Sequence, residues 1–250
     1  MAVKPSDSGS HKQSLQPVFI LHTYPFKETS LVVEMFSRDL GRIAAVAKGA
    51  RRPLSAMRGM LQSFQQLAGT WSGKNELKTL HDLEWMTGLT LLRGDALMCG
   101  FYMNELLLRL LPRDDAHVQL FEYYAQTIQV LSALPMPVDA TQLAMIMRKF
   151  ELKMLQELGY AVPLTHDEHG EIIHADSTYR FEADYGACDP SATKNGLLIL
   201  GNTLLKMARG DYSETVTQAQ SKQLMRYLLQ HYLGEKPLHT RQLLVDLQGF

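Results

Sequence analysis

Cysteine is nearly absent: Cys99 and Cys188 are the only two in 250 residues. Two thiols without a CxxC spacing cannot frame a disulfide scaffold, and they suit a reducing compartment, so a cytoplasmic protein is expected. Long apolar runs are missing too; none reaches the ~18 residues that a membrane span needs. The opening segment, MAVKPSDSGSHKQSLQ, has no apolar stretch of the secretory kind, and residues 1–15 are expected to form a disordered tail. Four catalytic signatures are absent as well: GxxxxGK[ST], GxGxxG after a strand, GxSxG and HExxH. With 25 Lys and Arg against 26 Asp and Glu, no uniformly basic coat for nucleic acid exists either.

What is present is an uneven distribution of that charge. Between Arg38 and Lys78 lie eight cations and two anions, a balance of +6, so the remaining residues must carry −7 to give the total of −1. A near-neutral chain split in this way points to an anionic partner for its basic stretch.

The short period of the first third reads as β-structure. PVFILHTY and SLVVEMFS are β-rich runs, the Arg38–Gly41 segment makes a turn, and RIAAVAKG is a third strand. ARRPLSAMRGMLQ reads as a long loop or short helix. SFQQLAGTW and ELKTLHDLEW follow as two further strands around the hairpin signal Ser72-Gly73-Lys74-Asn75. Five short strands with an irregular segment between the third and fourth match the plan of an OB-fold barrel.

After Trp85 the period becomes helical. Helices are predicted over DALMCGFYMNELLLRLLPRDD, over DAHVQLFEYYAQTIQVLSALP, and over QLAMIMRKFELKMLQELGY with Asp139 or Thr141 as its cap. Residues 163–194 read as a polar insertion in which TYRFEADYGA can form a hairpin. Two helices are expected near 196–208 and 214–233, and a short last one over 239–248. The fold class is therefore α+β: a five-stranded OB-fold barrel for DNA binding over residues 16–86, then an α-helical domain over 87–250.

Chemistry has few footholds. His166-x-x-His169, with His174 and Cys188 downstream, is the best metal candidate, but the fourth ligand stands alone, and solvated loop histidines are the plainer reading. Cys99 lies among apolar helix residues and reads as core. Asp114-Asp115 reads as a helix N-terminus, where carboxylates meet the dipole favourably. The cations Arg42, Lys48, Arg51, Arg52, Arg58, Lys74 and Lys78 are candidates to track phosphates, against a solvated face as the alternative. Tyr24, Phe26, Phe36, Phe64 and Trp71 either stack on bases or fill the barrel.

The segments LHTYPFKETSLVVEMFS, GRIAAVAKGARRPLSAMRGMLQSF and GKNELKTLHDLEW resemble the N-terminal domain of the RecO family, recombination mediators of bacterial DNA repair. GFYMNELLLRLLPRDD, RKFELKMLQELGY and YLGEKPLHTRQLLVDL resemble its later parts, so the likeness spans about residues 16–247. It implies a non-enzymatic protein without a cofactor that binds single- and double-stranded DNA and anneals complementary strands. It also implies binding to the C-terminal tail of single-stranded-DNA-binding protein and, with RecR and often RecF, assistance to RecA loading in the cytoplasm at the nucleoid. Some relatives hold zinc through four cysteines after the third helix; residues 160–190 here offer only Cys188, so no metal is expected. The alternative reading is a metal-dependent nucleic-acid-modifying enzyme that uses the barrel as an anchor.

In that family the partner tail is acidic and ends in an apolar residue bearing a carboxylate. Met145, Arg148, Leu152 and Leu155 share one face of the third predicted helix, which makes Arg148, with Lys149 beside it, the candidate clamp. The alternative is that the three apolar residues are core and Arg148 reaches solvent.

Overall fold

The computed structural model describes residues 15–160, 163–191, 196–234, 236 and 238–240. Most of the expected tail and of the helix predicted over 239–248 lies outside them. Strands β1 (Gln16–Phe26), β2 (Ser30–Ser37), β3 (Gly41–Ala47), β4 (Gln66–Ser72) and β5 (Leu77–Trp85) close a barrel in the order β1-β2-β3-β5-β4. A single-turn helix, α1 (Ala56–Met60), lies between β3 and β4, and β3 pairs with β5 in parallel.

Two-sided burial accounts for the unbroken apolar run at the start of β1. Val18 and Ile20 turn into the barrel with Val33, Met35, Ile43 and Trp71. Phe19 and Leu21, one step away along the pleat, belong to a second core shared with the helices. The Phe19 ring packs against Phe121 and Tyr124 at 5.3 and 4.9 Å, and Phe36 meets Phe121 at 5.3 Å. Of the five aromatic residues offered for stacking, Trp71 is barrel core, and Phe36 and Phe64 are buried between barrel and helices.

The helical part contains α2 (Gly94–Leu110), α3 (Val118–Ser132), α4 (Ala140–Glu157), α5 (Gly201–Ala208) and α6 (Thr215–Leu233). Asp139 caps α4 by accepting from Thr141 N at 2.9 Å. Between α4 and α5 a three-stranded sheet forms from β6 (Thr178–Glu182), β7 (Gly186–Cys188) and β8 (Leu197–Leu200), in the order β7-β6-β8. The predicted helix at 196–208 therefore begins only at Gly201. The apolar run LLIL pairs with β6 instead, because a four-residue run carries no period that separates strand from helix.

Barrel and helices are joined by a polar seam. Asn104 of α2 donates to Leu21 O at 2.9 Å and accepts from the Tyr124 hydroxyl at 2.6 Å. The α2–α3 turn reaches into the barrel: Arg113 pairs with buried Glu34, and Asp114 N donates to Arg42 O at 3.0 Å. Gly41, at φ +69°, sits so close to this turn that a Cβ there would lie 1.7 Å from Asp115 O. Asp114 and Asp115 therefore serve the domain junction rather than a helix N-terminus; α3 starts at Val118.

Candidate nucleic-acid interface

The strand register divides the seven predicted phosphate contacts into three groups. Lys48, Arg51 and Arg52 follow the end of β3, and Arg58 lies on α1. All four are exposed and form no ion pair among the described residues. Arg51 also fastens two loops together. Its backbone N–H donates to Thr29 O at 2.9 Å and its guanidinium to Lys27 O at 3.4 Å, so the β1–β2 turn and the β3–α1 loop share one end of the barrel. Lys27 thus joins this group; lying before the basic stretch in sequence, it was not singled out by the charge balance.

Lys74 is exposed on the β4–β5 hairpin, toward the opposite end. Leu77 pairs with Ala44 and Leu80 with Ala47, so the level of Leu77 lies four residues back along β3 from Lys48. At ~3.3 Å per residue the two levels are about 13 Å apart.

Lys78 is buried, and Arg42 is half-buried. Arg42 donates its guanidinium to Leu108 O, and burial holds its pKa below the usual arginine value. Lys78 shares the inward side of β5 with Leu80, is 8% exposed, and bonds Asp114 Oδ1 at 2.6 Å. Both were expected on a DNA-facing surface. Both instead join the barrel to the helices, because the acid and carbonyl that receive them come from a segment 36 or more residues later in the chain.

The helical candidates are also rearranged. Arg148 bonds Glu151 Oε1 at 2.7 Å, and the Tyr102 hydroxyl donates to the same oxygen at 2.6 Å. Glu151 is fully buried, which pushes its carboxyl pKa up against the opposing pull of Arg148 and Tyr102. Leu155 is core, Met145 and Leu152 are half-buried against that core, and only Lys149 is exposed. Of the slot expected along this face, Leu155 is taken up by the protein's own packing, while Met145, Leu152 and Lys149 keep exposed surface. The Arg148 side chain, 18% exposed, is already paired. The i, i+3 spacing of Arg148 and Glu151 was the overlooked signal. An open groove of about 440 Å³ lies elsewhere, lined by Leu89, Leu91, Leu131, Met136 and Val138 together with Arg93.

The loop residues His166, His169 and His174 are exposed and Cys188 is buried. Among the described residues no three His, Cys, Asp or Glu side chains come close enough to hold a metal ion. Burial pushes the Cys188 thiol up to about 11, and Cys99 to about 11 for the same leading reason, so both stay protonated near neutrality. No described helix is long and apolar enough to cross a membrane.

The chain thus joins a closed five-stranded barrel, with exposed cations where β3 leads into α1, to a helical region. The model of the Recombination protein O N-terminal domain matches residues 12–89, and that of its C-terminal domain matches 91–242. The chain belongs to the RecO family. It is 50% identical over 243 residues to the DNA repair protein RecO of Nitrosospira multiformis, covering 95% of this chain and 97% of the relative. It is 48% identical to the RecO proteins of Burkholderia pseudomallei and of an Azoarcus species, with 94% and 93% of this chain covered and 84% and 95% of theirs. The chain is a DNA repair and recombination protein, and its OB-like barrel with a helical domain is the architecture of this RecO family member.

Proposed function

We propose that the chain is a non-enzymatic recombination mediator that holds single- and double-stranded DNA at the basic end of its barrel and anneals complementary single strands. The observation that carries this reading is the set of four exposed cations, Lys48, Arg51, Arg52 and Arg58, which form no ion pair among the described residues. Exposed cations release counterions when they meet phosphates, the sequence-independent source of DNA affinity. Neutralised strands approach one another more readily, which speeds pairing without any covalent step. Lys74 extends the contact toward the other end; Arg42 and Lys78 do not take part.

The helical domain engages the acidic C-terminal tail of single-stranded-DNA-binding protein on the α4 surface that carries Lys149. There Met145 and Leu152 are half-buried and Arg148 is steadied by Glu151. RecR, and RecF where it is used, act with the protein to help RecA load, in the cytoplasm at the nucleoid. The resemblance of the whole chain to RecO supports these partners.

The test is strand annealing. Arg51→Glu combined with Arg52→Glu should slow annealing of complementary oligonucleotides at least tenfold and weaken binding to all sequences alike. Annealing at the wild-type rate by the folded double variant would overturn the proposal.

A further inference from the structure

The basic end of the barrel also holds an aromatic surface, and a β-bulge creates it. Up to Leu21, the outward residues of β1 are covered by the helices. The pairing of β1 with β2 then shifts between Ile20 and His22. A bulge of this kind inserts one residue and re-aims the side chains that follow. Beyond it His22, Tyr24 and Phe26 stand opposite Glu34, Val32 and Ser30.

The row at His22 is closed on its inner side, where Glu34 meets Arg113 of the helical domain. The next row is open: Tyr24, Val32, Val46 and Thr79 are neighbours across four strands, and none is buried. Tyr24 is 46% exposed, and its ring is braced by the His22 ring at a centroid distance of 4.5 Å and 64°. The ammonium of Lys27 lies 5.4 Å from the Phe26 ring, and Lys27 O holds the Arg51 guanidinium.

A braced, exposed aromatic ring on an open sheet, bordered by cations with no ion pair among the described residues, is complementary to a single strand. Its bases have free faces for stacking while its phosphates meet the cations. Duplex DNA offers phosphates but keeps its base faces stacked within the helix.

We infer that Tyr24, braced by His22, is the stacking platform for an unpaired base and sets the preference of the barrel for single strands over duplex. This rests on the DNA-binding reading above. The strand crosses the outer face of β1, β2 and β3 with its phosphates toward Lys27, Lys48, Arg51 and Arg52.

Fluorescence anisotropy of the full chain with a labelled oligothymidylate, the same oligomer carrying abasic sites, and a duplex of equal length tests the assignment. Tyr24→Ala should weaken oligothymidylate binding about tenfold, the loss of one base stack. Duplex affinity and the salt slope should stay unchanged, and Tyr24→Phe should restore single-strand binding. Wild-type protein should bind the abasic oligomer as weakly as Tyr24→Ala binds the intact one. Equal loss of single-strand and duplex affinity in Tyr24→Ala, or wild-type-strength binding of the abasic oligomer, would overturn stacking. If Arg51→Glu with Arg52→Glu weakens both DNAs while Tyr24→Ala and the abasic sites change nothing, only the stacking platform fails. If the double reversal leaves both affinities intact, the DNA-binding reading itself fails.

Discussion

The two ends of strand β3 put cations from one basic stretch to opposite uses. At its end, Lys48 and the following Arg51, Arg52 and Arg58 remain exposed and pair with no carboxylate among the described residues. Near its start, Arg42 is drawn under the helical domain, and Lys78, level with Ala45 on the neighbouring strand, is bound to Asp114. Nothing in the residues themselves distinguishes the two sets. The difference lies in the α2–α3 turn, which brings Arg113, Asp114 and the carbonyl end of α2 against one part of the barrel and leaves the other end bare. A charge balance along the sequence therefore counts cations but does not say which are available to a ligand; complementary groups from a distant segment decide that.

The largest effect should come from breaking the seam. Arg113→Ala leaves Glu34 buried without its cation, and removing one partner of a buried pair costs about 3–5 kcal/mol. Urea unfolding should show that loss, and the folded fraction should still bind DNA. A midpoint equal to wild type would show that Glu34 does not depend on Arg113.

Charge reversal at Arg148 should act the same way. Arg148→Glu sets a second carboxylate beside fully buried Glu151, so the variant should lose several kcal/mol of stability, about the cost of an unpaired buried charge. Tail binding is therefore better tested at exposed Lys149. Lys149→Glu should weaken binding of an acidic, Phe-ended peptide about tenfold, the lower range of a charge-assisted contact, without changing the unfolding midpoint. Loss of peptide binding in Arg93→Glu but not in Lys149→Glu would place the tail in the groove lined by Leu89, Leu91 and Met136 instead.

The smallest effect should be that of Lys74, alone on the β4–β5 hairpin. Lys74→Ala should reduce the salt slope for single-stranded DNA by about 0.7, one phosphate's share, and leave stability within experimental error. A slope change as large as that of the Arg51 and Arg52 pair would mean that the strand path is centred on the hairpin.

Much of this was legible in the sequence because it depends on local pattern. The five strands follow from short β-rich runs, the long helices from 3.6-residue periodicity, and the α4 cap from Asp139. What was not legible depends on pairing across the chain. Phe19 and Leu21 give no sign that a second core covers them, and Asp114 looks like a helix start until Lys78 is placed beside it. The bulge that exposes Tyr24 is likewise a property of two strands together.

The central claim, that the exposed barrel cations and not the seam cations hold DNA, is most directly tested by the salt dependence of single-strand binding. Replacing Lys48, Arg51, Arg52 and Arg58 together by Ala should lower the slope of log K against log salt by about 3, four phosphates at roughly 0.7 each, with the unfolding midpoint unchanged. Lys78→Met should leave that slope at the wild-type value. An unchanged slope in the fourfold variant, or an equal drop in Lys78→Met, would contradict the account.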